Sequence, residues 1–67
     1  MAAIYDYQTA DTLSDGLQGS KVCDEARRTA QKKAAELGKA VVLEDDDGCW
    51  LINTKGDVLP LSKDWAS

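Results

Sequence analysis

The stretch SKVCDEARRTAQKKAAELGKAVVLEDDDGCWLI, residues 20–52, decides the fold, because its hydrophobic period changes once, at a glycine. Over residues 20–38 the period is helical. Ser20 suits the cap position, where its oxygen accepts from an orphan backbone N–H, and Asp24 and Glu25 follow near the positive end of the helix dipole. At 100° per residue Val22, Cys23, Ala26, Ala30, Ala34 and Leu37 share one face, so the helix is amphipathic with a lean apolar stripe. Gly38 suits the left-handed position that ends it, after a rod of roughly 26 Å at 1.5 Å per residue. Beyond the glycine the pattern predicts strands: Val41-Val42-Leu43, a turn at Asp46-Asp47-Gly48, then Cys49-Trp50-Leu51-Ile52.

Working outward, residues 2–9 alternate, with Tyr5 and Tyr7 on one face and Ile4, Asp6 and Gln8 on the other, which predicts a half-buried strand. Residues 10–19 are polar apart from Leu13 and Leu17. Asp15-Gly16 reads as a turn with short pairing segments, Thr12-Leu13 and Leu17-Gln18, on either side. Downstream, Asn53-Thr54-Lys55-Gly56 is a turn that needs a positive φ at the glycine, and Val58-Leu59-Pro60-Leu61 is a further strand. Pro60 has no N–H to donate, which places that strand at a sheet edge. Trp50 is expected in the core over the Ala26, Ala30 and Ala34 stripe, and Trp65 either tucks back on the sheet or serves an interface, where tryptophan is enriched. The expected architecture is α+β: a small antiparallel sheet of about four strands with one helix across it, in the order β-α-β-β-β, as a single domain over residues 1–67.

Composition limits the chemistry. The chain has 67 residues, 43% apolar and 30% charged, values ordinary for a folded domain. A domain of this size buries only about 60% of the surface its unfolded chain exposes, so oligomerisation or a partner is a plausible added source of stability. No secretion signal or membrane span is read from the sequence, and a cytoplasmic location is the expectation. With no histidine, the usual general base and the commonest metal ligand are missing, and Cys23 and Cys49 cannot by themselves close a zinc site. Two reduced thiols are expected. The five glycines lie near predicted turns or caps and form no phosphate loop. The acids of Glu44-Asp45-Asp46-Asp47 are consecutive, unlike the spaced ligands of a calcium loop, and read as a solvated hairpin tip. No catalytic residue, cofactor or metal is therefore expected, and the protein is read as a non-enzyme.

Charge is the informative feature. The formal net charge is −4, but residues 20–39 hold six bases against three acids, while the rest of the chain holds two bases against nine acids. A basic helix on an acidic sheet would make the molecule dipolar. Asp24–Arg28 and Lys32–Glu36 are spaced as i,i+4 pairs, a plain account of the helix charges. Direct nucleic-acid binding through Arg27, Arg28, Lys32 and Lys33 is disfavoured by the acidic remainder, which opposes the long-range attraction of phosphates. The acids instead suit a basic groove on a protein partner. Glu44, Asp45, Asp46, Asp47 and Asp57 are the expected partner-binding charges. A small structural domain, monomeric or dimerising through the helix or an edge strand, is the alternative.

A strand, a capped helix carrying Ala26, Ala30 and Ala34, then Val41-Val42-Leu43-Glu44 and Asp47-Gly48 resembles the plan of small acidic phage-encoded anti-CRISPR proteins. The resemblance transfers no binding residue. It implies an inhibitor that binds a CRISPR surveillance complex and blocks target recognition or recruitment, in some cases by mimicking DNA.

Overall fold

A computed structural model of the chain describes residues 2–17, 24–45 and 48–66. It contains five strands and one helix: β1 (Ala2–Asp6), β2 (Thr12–Leu17), α1 (Asp24–Leu37), β3 (Val41–Asp45), β4 (Gly48–Ile52) and β5 (Val58–Leu61). The strands form one sheet in the order β2-β1-β3-β4-β5, with every neighbouring pair antiparallel. The class is the expected α+β, with one strand more than foreseen.

The extra strand is β2. Residues 10–19 do not turn at Asp15-Gly16; the turn comes earlier. Asp6 ends β1 because its carboxylate accepts the Gln8 N–H at 2.8 Å while its carbonyl accepts the Ala10 N–H at 2.8 Å. These bonds bend the chain at Tyr7, so the strand expected to reach Thr9 stops at Asp6. Thr12–Leu17 then returns along β1, pairing Tyr5 with Thr12, Ile4 with Ser14 and Ala2 with Leu17. Two residues on β1 oppose three on β2, and the next three oppose four, so β2 carries an extra residue twice. Gly16 at φ +70° lies in the second irregularity, a conformation that glycine adopts without strain. Asp15-Gly16 is thus a bulge within a strand. The expected pairing at Gln18 lies outside the described residues.

The described helix begins at Asp24, and the expected cap at Ser20 and the apolar Val22 and Cys23 fall outside the described residues. Its other end matches expectation. Gly38 at φ +67° donates its N–H to the Ala34 carbonyl at 2.9 Å, and the Lys39 N–H reaches the same oxygen at 3.3 Å. Ala26, Ala30 and Ala34 are all fully buried and let the helix sit close on the sheet, against Ile4, Val41, Leu43 and Ile52. Leu13, the first extra residue of β2, packs against this cluster.

Trp50 is a correction. The register pairs it with Leu43 and Pro60, so it lies on the helix side of the sheet, yet it is only half-buried and stands outside the core cluster. Its ring leans along its own strand toward Gly48, where an added Cβ would meet the ring at 3.5 Å. The space beneath the alanines is already filled by three branched side chains from β1, β3 and β4 plus Val41. The large ring is left beside the helix, not under it.

The β4–β5 turn follows expectation. Asn53 Oδ1 accepts the N–H groups of Lys55 at 2.9 Å and Asp57 at 3.0 Å, and Gly56 takes φ +88°. Gln31 of α1 donates to the Gly56 carbonyl at 2.9 Å, tying helix to turn. β5 lies at the sheet edge, as Pro60 requires.

Candidate binding surface

Because side chains alternate along a strand, the sheet has a second face that α1 does not touch. The register builds it in rows. Tyr5 of β1 pairs with Val42, Val42 with Leu51 and Leu51 with Leu59, which gives an apolar row from β1 to the β5 edge. The next row pairs Ala3 with Glu44, Glu44 with Cys49 and Cys49 with Leu61. Val42 is fully buried although no helix covers it.

The C-terminal segment lies across this face. After β5 the chain turns, with the Trp65 N–H donating to the Ser62 carbonyl at 3.1 Å and the Asp64 N–H to the Ser62 hydroxyl at 3.2 Å. The Trp65 ring reaches β1, 6.1 Å from the centroid of Tyr5 and 6.0 Å from that of Tyr7, with which it stacks at 27°. Of the two expectations for Trp65, the structure shows it folded back onto the sheet. Tyr7 remains 43% exposed beside it.

Carboxylates border this aromatic group. Burial first, then the negative charges of Glu44 on β3 and Asp15 on β2, push the Tyr5 hydroxyl above its ordinary pKa, so both acids are electrostatic neighbours of the ring's polar end. Glu44 is half-buried and accepts the Cys49 Sγ–H at 3.2 Å. Burial and that acceptor push the thiol up to about 11, although Lys63 on the tail pulls the other way. Cys49 is a buried, free and protonated thiol at neutral pH, not a nucleophile.

The expected contact charges do not form one patch. Glu44 faces the open side. Asp45 is buried on the helix side, 7% exposed, at the end of the sheet where α1 begins, since α1 runs back to the start of β3. Asp57 is exposed at the opposite end, displaced from the Glu44 row by four residues along the strand direction, about 13 Å at 3.3 Å per residue. Asp46 and Asp47 lie outside the described residues. Asp15 was not foreseen, because its strand was not, and nothing in a lone Asp-Gly signals that it flanks a tyrosine two strands from Cys49.

The carboxylates differ in what meets them. Asp6, buried at the other end of the sheet, forms an ion pair with Lys39, which together with the Gln8 N–H holds its carboxyl below the usual range. Asp15 instead accepts its neighbour Gly16 N–H at 2.7 Å, Glu44 accepts the thiol, and Asp57 meets the Asn53 amide at 3.3 Å. These donors are neutral, and among the described residues no lysine or arginine forms an ion pair with any of the three. Elsewhere, a shallow depression on α1 is lined by Thr29, Lys32, Lys33 and Glu36 of that one helix, and it encloses no reaction chamber. Among the described residues no three acids or thiols converge as metal ligands, and no helix is long and apolar enough to cross a membrane. Compared with protein-family models, curated proteins and solved structures, the chain matches none.

Proposed function

We propose that the protein is a non-enzymatic inhibitor that sets an acidic surface against a basic, nucleic-acid-binding surface of a protein partner. The observation that carries this reading is the difference in partners just described: the buried Asp6 is neutralised by Lys39, whereas Asp15, Glu44 and Asp57 are held by neutral donors. A carboxylate fixed by a neutral hydrogen bond keeps its charge and loses side-chain freedom, so less entropy remains to be lost on binding. Glu44 and Asp57 at opposite ends of β3–β4 are spaced to meet separated basic groups, as phosphates along a nucleic-acid backbone are. The anti-CRISPR plan that the sequence resembles names one such partner, a CRISPR surveillance complex with a basic target-strand channel. The test is displacement of labelled duplex DNA from purified surveillance complexes. Wild type should release the duplex, and the double reversal E44K/D57K should release at least tenfold less at equal concentration. Equal release by both, or none by wild type from any complex tested, contradicts the proposal.

The β5 edge supports the second reading, a self-associating domain: Val58 is 38% and Leu59 46% exposed. Pro60 weighs against pairing of that edge, because it removes one of the few outward N–H groups a second strand would use. Light scattering over a hundredfold concentration range decides it, since a constant monomer mass removes the dimer.

A further inference from the structure

We infer that the stacked Tyr7–Trp65 pair on the open face is an arginine anchor, the point at which a basic partner segment lays a guanidinium on an aromatic ring. This inference rests on the acidic-binding reading and names the side chain that such a partner would present. Three observations carry it. First, the pair ties the segment after β1 to the segment after β5: Tyr7 follows β1, Trp65 follows β5, and their rings stack 6.0 Å apart at 27°. The pair is therefore pre-formed, and a guanidinium arriving there orders no new ring. Second, Tyr7 keeps 43% of its surface exposed although it stacks on Trp65, so part of its ring stays accessible to a ligand.

Third, the surroundings select the occupant. Tyr5, which also touches Trp65, shares its face of the sheet with Glu44, since Tyr5 pairs with Val42 and Ala3 with Glu44, and Asp64 precedes Trp65 in the chain. Lys63 is a cation near Cys49 on this face. An apolar partner would leave those acids desolvated without compensation, and an anionic one would be repelled. A cation satisfies both the ring faces and the carboxylates. Arginine suits the geometry better than lysine, since its flat, weakly hydrated guanidinium stacks on a ring while its edge N–H groups reach carboxylates, whereas an ammonium keeps its hydration.

The experiment uses two synthetic probes, a nine-residue oligoarginine and an oligolysine of equal length and charge. Binding is read from Trp65 emission in a W50F variant, with folding checked by circular dichroism. Oligoarginine should bind about tenfold more tightly than oligolysine and quench Trp65. Tyr7→Leu, which keeps apolar bulk and removes the π face, should bring oligoarginine down to the oligolysine level. Two probes that bind equally, with Tyr7→Leu unchanged, overturn the anchor and leave the acidic reading intact. If neither probe binds at low salt, both readings fail together.

Discussion

The two faces of the sheet are covered in different ways. One is closed by a helix whose fully buried alanines meet Ile4, Val41, Leu43 and Ile52, with Asp6 and Asp45 buried at the two ends of that face. The other is closed by the segment that follows β5 and a single indole, and it is bordered by carboxylates. The first arrangement supplies stability through area removed from water. The second hides Val42, Ala3 and Cys49 and leaves aromatic and acidic groups nearer the surface. In the proposed reading, stability and recognition lie on opposite sides of one sheet.

The largest effect should come from opening the helix side. Ile4→Ala or Leu43→Ala removes a buried branched side chain beneath α1 and should cost about 2–5 kcal/mol, much of the total stability of a domain this small. Urea titration followed by circular dichroism measures it. Trp65→Ala tests the other side and should cost about 1–2 kcal/mol, because its ring is only half-buried. If the two losses were equal, the tail would be a structural layer equivalent to the helix and the division would fail.

A smaller effect separates the charges. Asp6 has a carboxyl held low by Lys39, so it favours the folded state at pH values above the ordinary carboxylate range. That contribution disappears as pH falls through the depressed value. The urea midpoint should therefore fall on acidification below about pH 4, and Asp6→Asn should flatten that part of the profile. An unchanged profile would mean that the Lys39 pair is not coupled to folding.

The smallest effect concerns the thiol under the tail. With its pKa raised to about 11, Cys49 stabilises the fold fully below the ordinary thiol value and progressively less as pH rises toward 11. In a C23S variant at pH 8, iodoacetamide should modify Cys49 about a hundredfold more slowly in the native state than in urea. Equal rates would show that the tail and Glu44 do not shield it.

The same contrast explains what the sequence reveals. The helix side is legible because its signals are periodic and local: alanines every fourth residue, a terminating glycine, and Asn53 to Gly56 marking the meander. β2 is not, since two extra residues destroy its alternation and Asp15-Gly16 imitates a hairpin turn. The half-buried state of Trp50 also escapes, as it depends on how many side chains already fill the space under α1. For the candidate site, Asp57 is visible as exposed charge beside a turn, Glu44 as the first acid after an apolar strand run, and the aromatic residues as alternation. Which acids are neutralised depends on pairing across the fold: Lys39 reaches Asp6 from 33 positions away, and Asp45 turns inward because strand parity puts it on the helix side.

In the proposed function, negative charge on the surface is the working part of this protein. The most direct test of that role is the salt dependence of duplex displacement from a surveillance complex, measured from about 0.05 to 0.5 M salt, over which screening shortens from roughly 14 to 4 Å. The account predicts that displacement by wild type weakens steeply across that range, and that E44K/D57K displaces weakly at every point. Displacement that is equally strong at both ends of the range, and equally strong for the reversed variant, would contradict it.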